Sequence, residues 1–139
     1  MSISEDDQQP PRLHHVPGFR LAHSTAQSSG MRRLEAISGV STGSEKIWMG
    51  ESHIGPATRS DNHHHGESET GIYVLSGNPV FVFLQDNEES RIKAQPGDYI
   101  YVPPYVAHRE ENPSEEEDAV VILARTTQEA IVVNLPSLE

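Results

Sequence analysis

PGDYIYVPPYVAHREEN, residues Pro96–Asn112, is the stretch that decides the fold. Pro96-Gly97-Asp98 is a turn signal, with the Asp98 carboxylate suited to bonding its own turn. Asp98–Val102 is rich in Tyr, Ile and Val and reads as a strand. Pro103-Pro104 interrupts it, and His108–Glu111 reads as the next strand. The same rhythm runs outward in both directions. Lys46–Ile54, Asn62–His65, Thr70–Ser76, Val80–Leu84, Arg91–Lys93, Ala119–Ala124 and Glu129–Asn134 are short runs separated by Gly, Pro, Asn and Asp. No segment after Gly39 keeps a helical period. Many short strands punctuated by turns predict an all-β sandwich or barrel. Ser76-Gly77-Asn78-Pro79 predicts a hairpin between the strands on either side. Met31–Ile37 fits a short helix or a strand equally, and Ser24–Gly30 reads as a loop. No internal repeat is present, which excludes a propeller or a tandem pair of domains.

The chain has 139 residues, one domain's worth, and enough to bury a core without covalent staples. It has no cysteine, so disulfides, thiolate nucleophiles and zinc–cysteine or iron–sulfur sites are excluded. Ten basic residues against 21 acidic ones give a net charge of −11, which argues against a nucleic acid or an anionic membrane as partner. No apolar run approaches the ~20 residues a bilayer crossing needs. The acidic, polar segment 1–11 is expected to be a disordered tail rather than a signal peptide, with residues 12–139 forming the domain. The expectation is a cytoplasmic protein. Glu110–Asp118 carries six carboxylates but no glycine for the sharp turn of a calcium loop, and reads as a solvated connection.

Eight histidines in a cysteine-free chain point to chemistry. In Asn62-His63-His64-His65-Gly66, strand alternation puts His63 and His65 on one face and His64 on the other. Two imidazoles so placed can chelate one metal ion, and His108, opening a strand after a Pro-rich turn, is the natural third ligand. A polar surface loop is the plain alternative, since a His-rich tract alone is weak evidence.

The spacing around these histidines resembles the cupin superfamily. Its second motif, P-G-x5-P-x4-H-x3-N, is met by Pro96-Gly97, Pro103, His108 and Asn112 at every interval. Its first, G-x5-H-x-H-x3-4-E-x6-G, is met by His63, His65 and Gly77. The resemblance covers about residues 46–135 and implies a jelly roll, a double-stranded β-helix, with a divalent metal inside the barrel. Two positions depart. The opening glycine falls on Ala57. Counting back from Gly77 puts Thr70 where the family has its Glu ligand, with Glu69 one residue away. Alternation from Gly77 turns Thr70 inward and Glu69 outward, whereas the shorter spacing from His65 favours Glu69. A one-residue slip would reverse the answer. His53 is a further candidate ligand, if the face it shares with Glu51, Met49 and Ile47 lines the barrel. Glu51 would then support it by a hydrogen bond. The plain alternatives are a strand-end histidine and an exposed glutamate. Imidazole suits Zn, Fe, Ni and Cu alike, so the metal's identity stays open.

The fold hosts many functions. The chain also resembles, more softly, the small bacterial cupins that include cyclases of aromatic polyketide, hence antibiotic, biosynthesis. That resemblance implies a small-molecule carbonyl substrate, a poly-β-ketone, closed by metal-assisted aldol chemistry. The implied pocket is apolar, drawn from Ile72, Val74, Val80, Val82, Ile100 and Val102 or their alternates. A dioxygenase is the second reading, with Glu69 completing a two-His, one-carboxylate set, although a three-His site is also compatible with some oxygen chemistry. A non-catalytic module for sugars or other small molecules is the third. Ala130–Leu135 is too apolar for an exposed edge and is expected to pair in a homodimer.

Overall fold

The computed structural model describes residues 10–23 and 30–139. The tail expected over residues 1–11 and the loop expected over 24–30 lie mostly outside them. The strands are β1 (Ala22–His23), β2 (Met31–Ile37), β3 (Trp48–Ile54), β4 (Thr58–Arg59), β5 (His63–His64) and β6 (Thr70–Ser76). After them come β7 (Val80–Gln85), β8 (Glu88–Lys93), β9 (Tyr99–Val102), β10 (His108–Asn112), β11 (Ala119–Arg125) and β12 (Val133–Asn134). They form two sheets, β1-β2-β3-β11-β6-β9 and β12-β5-β10-β7-β8, with β4 added on β10. Every pairing is antiparallel. This is the jelly roll the motifs implied. Among the described residues no helix is long and apolar enough to cross a membrane.

Alternation decides what faces inward. In β3, Trp48, Gly50, Ser52 and Ile54 are buried, while Met49, Glu51 and His53 are only partly covered. In β6 the buried set is Thr70, Ile72 and Val74. Ile72, Val74, Phe81, Ala94, Val102 and Val121 pack together as the main core. They fill the space between the sheets around β6, β7 and β9, and leave the part beside β2, β3, β5 and β12 open as a cavity.

Residues 76–79 do not make the expected hairpin. They carry the chain from β6 in one sheet to β7 in the other, a crossing that needs glycine. Gly77 has φ 79°, and a Cβ there would stand 2.7 Å from Ala119 Cα and 2.8 Å from the Asp118 carbonyl oxygen. The tight hairpin is β7–β8, closed by Asp86 and Asn87 at φ 53° and 66°. Two left-handed residues in a two-residue loop match the strand twist. The undecided Met31–Ile37 is a strand, paired along β3.

Candidate metal centre

His63 and His108 are opposed residues of β5 and β10, so their side chains leave the sheet together on one face. His65, two residues on, joins them. The three ring centroids lie 4.5–5.1 Å apart. One device holds all three rings: Nδ1–H donates to a backbone carbonyl. The acceptors are Asp61 at 2.7 Å for His63, Ile131 at 2.8 Å for His65 and Val106 at 3.0 Å for His108. A carbonyl only accepts, so Nδ1 of each ring carries a proton, and in the neutral ring Nε2 is the nitrogen left with a lone pair. The potential ligand atoms lie within 4.8 Å of one another. Nε2 of His108 is buried with no hydrogen-bond partner among the described residues. A buried, unpartnered lone pair is unfavourable unless a ligand meets it.

Burial pushes His65 down to about 4, helped by the neighbouring imidazoles. Burial likewise lowers His63, and His108 and Arg33 add to the shift. Both are neutral at pH 7, the form that binds a metal. Three imidazoles, oriented by carbonyls behind them and clustered with their ligand atoms within reach of one ion, fit a divalent metal. The three histidines are therefore positioned to bind a metal, with no preference among Zn, Fe, Ni or Cu.

The remaining sequence candidates lie elsewhere. Thr70 faces the cavity and is 7% exposed. Glu69 faces out, where its Oε1 accepts from the Tyr101 hydroxyl at 2.6 Å. The closing glycine thus sets the register. His53 stands on the outer face of β3, opposite the buried Ser52, and is not brought to the other three. It holds Glu51 through Nε2 at 2.9 Å and approaches Arg32 through Nδ1 at 3.4 Å. The expected Glu51–His53 contact exists, but on the wrong side of the sheet to serve the site. His64 turns away and accepts the Gly66 amide at 2.9 Å.

The cavity measures ≈ 350 Å³. It is less apolar than expected. Of the six residues proposed for its wall only Ile72 lines it, because the others belong to the packed core or lie outside the lining. Val121, Leu123 and Ile131 supply apolar surface, and Arg33, Ser52, Arg125 and Glu110 supply polar surface. Glu110 was assigned to a solvated acidic run. It is instead the second inward residue of β10, sharing a face with His108. Counting two from His108 was the signal that identifies it.

A family model described as a cupin domain matches residues 50–125. No curated protein sequence matches the chain. Among solved structures it is similar to the polyketide cyclase RemF from Streptomyces resistomycificus, with TM-score 0.74 and 18% identity over 92% of this chain and 89% of that one. It is similar to an S161A mutant of the oxalate decarboxylase OxdC from Bacillus subtilis, with TM-score 0.67 and 25% identity over 79% of this chain. That match spans 29% of the decarboxylase chain. KdgF from Halomonas sp. gives TM-score 0.65 and 15% identity over 85% of this chain and 96% of that one. At such identities the likeness to RemF and KdgF is one of fold.

Proposed function

The chain belongs to the cupin family, and on that footing we propose that it is a metal-dependent enzyme acting on a carbonyl compound, a cyclase that closes a ring in a poly-β-ketone. The observation that carries this reading is the convergence of three imidazoles, each held from behind by a carbonyl, beside a cavity that His63, His65 and Glu110 line. A divalent ion held by His63, His65 and His108 supplies a Lewis acid that polarises a carbonyl oxygen and stabilises the charge that builds there.

The chain's own residues do the rest. Glu110 takes the proton from the carbon between two carbonyls. The carbanion so formed bonds to the distant carbonyl carbon and closes the ring. The alkoxide oxygen takes the proton back from Glu110, and loss of that hydroxyl as water with the attacking carbon's remaining hydrogen, followed by enolisation, makes the ring aromatic. The cavity wall fixes which carbon meets which carbonyl by orientation. A volume of ≈ 350 Å³ falls at the small end of ligand pockets, suited to a folded ketone. The similarity to RemF in fold supports the reading without carrying it. With Glu69 facing outward, the dioxygenase reading rests on the three-histidine set alone, which is also compatible with oxygen chemistry.

The test is to incubate metal-loaded protein with a synthetic linear tetraketone, in which a methylene between two carbonyls can reach the far carbonyl in a six-membered ring, and follow aromatic product by absorbance. Turnover is expected, lost on chelation and reduced ~100-fold or more in Glu110→Gln. Oxygen consumption with substrate cleavage would establish the dioxygenase instead. Tight binding without turnover, or no bound metal after supplementation, would leave a binding module. We also assign the chain to the cytoplasm as a homodimer paired at β12, the edge of its sheet, where Val132 and Val133 are exposed. Light scattering in solution tests the pairing.

A further inference from the structure

In a chain of net charge −11, one wall of the cavity is cationic. The histidines and Glu110 come from the sheet containing β5 and β10. The facing sheet contributes Arg33, Ser52, Thr70 and Arg125. Arg33 is paired in register with Ser52, and Arg125 is paired with Trp48 on one side and Thr70 on the other.

Arg125 is clamped in place. Its Nε donates to the Thr127 carbonyl at 2.9 Å and its Nη2 to the Gln128 carbonyl at 2.8 Å. The guanidinium lies 4.0 Å from the centroid of the Trp48 ring. Trp48 can lie there because Gly50 has no side chain: a Cβ would stand 2.6 Å from the Trp48 ring. Burial, and next the charge on Arg33, push Arg125 down to about 10. The Arg33 charge is felt at His63 as well. Glu35, which also faces Arg125, is already engaged. One of its oxygens accepts from Trp48 Nε1 at 3.1 Å and the other from the Ser38 hydroxyl at 2.7 Å. The Ser52 hydroxyl, on the β3 residue opposite Arg33, is buried in the cavity wall and has no hydrogen-bond partner among the described residues.

Two guanidinium groups lining one wall of the cavity, together with a buried hydroxyl that has no partner among the described residues, form a site that a planar anion satisfies. We propose that Arg33, Arg125 and Ser52 bind the carboxylate of the substrate. The molecule acted on is then a keto carboxylate, with its acid group on this wall and its reacting carbonyl at the histidines. The carbonyl half of this assignment rests on the enzyme reading above; the carboxylate half does not.

The test uses levulinate and its uncharged analogue methyl levulinate, titrated by calorimetry into zinc-loaded and into chelator-treated protein. Trp48, the chain's single tryptophan, reports location by its emission. Levulinate is expected to bind at least ~10-fold more tightly than the ester, about 1.4 kcal/mol, in both preparations, and to change Trp48 emission. Arg33→Met should abolish the preference, and Arg33→Lys, which keeps the charge and guards against misfolding, should retain part of it. Equal affinity for acid and ester, absence of levulinate binding, or a preference unchanged in Arg33→Met overturns the proposal. A preference that vanishes on metal removal also overturns it, because the carboxylate would then be on the metal. A preference that persists in a protein without turnover leaves the carboxylate site standing and removes only the cyclase.

Discussion

Replacing His65 by Gln should flatten the acid limb of the metal-free protein's stability. Burial holds His65 at about 4, against 6.5 for an unhindered imidazole. A depressed histidine means that the unfolded chain binds the proton first, so stability is lost as pH falls below the unfolded value. Between the two values the loss grows steadily. Taking 6.5 and about 4, linkage gives a loss of about 2 kcal/mol at pH 5 and about 3 kcal/mol at pH 4, relative to pH 8. His63 is lowered for the same reason and adds to this total, and the two protonations resist each other. Many carboxylates titrate in the same window, so the total is not diagnostic, whereas the difference between two proteins is. Urea unfolding of chelator-treated wild type and His65→Gln, at intervals from pH 8 to pH 4, measures it. The mutant should be less stable at pH 8, because the glutamine cannot repeat the Ile131 bond in the same geometry. The two curves should then converge by about 3 kcal/mol at pH 4. Parallel curves would refute the claim that His65 is held neutral, and with it the metal-ready state of the site.

Several other perturbations follow from the same geometry. Removing any one of His63, His65 or His108 as Ala should weaken zinc binding by at least ~10-fold, measured by competition with a chromophoric chelator, while His53→Ala and Glu69→Gln should leave it unchanged. Ala57 holds φ 51° where the cupin motif has glycine, so Ala57→Gly should raise the unfolding free energy by up to about 1 kcal/mol, visible in the urea midpoint. Asn112 is 2% exposed, and its Nδ2 donates to the carbonyls of Ile54 at 2.9 Å and Glu117 at 2.8 Å. Asn112→Ala should therefore destabilise the fold by about 2–4 kcal/mol without changing metal stoichiometry in the folded fraction.

The strands were legible because burial on one face imposes a period of two, and β6 could be placed from its first residue, Thr70, to its last, Ser76. The histidine cluster was legible for the same reason, since His63-x-His65 and the interval to His108 are local facts that the pairing of β5 with β10 turns into a contact. What failed was non-local. Whether Ser76–Pro79 folds back or crosses between sheets depends on which strands β6 and β7 find, and β6 finds β11 and β9. His53 failed because a strand's alternation does not say which of its two faces is inside. The buried ring of Trp48 and the small Gly50 settle that, and it takes the packed structure to see them. Glu110 was hidden by its neighbours, being one inward carboxylate at the head of an acidic run whose later members are exposed. The arginine wall was hidden altogether, since Arg33 and Arg125 are far apart in sequence and come to line one cavity only because β2 and β11 both pair with β3.

The departure at Thr70 and the presence of Arg125 explain each other. They are opposed residues of β6 and β11. A glutamate at position 70, as the cupin motif has it, would face Arg125 across the sheet. At a separation of ~5 Å and an effective dielectric of ~20, the attraction is about 3 kcal/mol before desolvation is counted. Such a carboxylate would occupy the guanidinium rather than leave it for a ligand. Threonine keeps the position polar and uncharged, so the positive wall survives and the metal shell stays all-imidazole. An all-imidazole shell leaves the charge of a bound divalent ion uncompensated by its ligands, and a keto carboxylate would then meet positive charge at both ends. Thr70→Glu is therefore expected to do two things at once. It should add an oxygen donor within reach of the histidines, raising zinc affinity, and it should erase the preference for levulinate over its methyl ester by neutralising Arg125. Competition with a chelator reads the first effect and calorimetry the second. A variant that gains zinc affinity yet keeps the full carboxylate preference would show that Arg125 and position 70 are not coupled, and the arginine wall would have to be assigned to Arg33 alone.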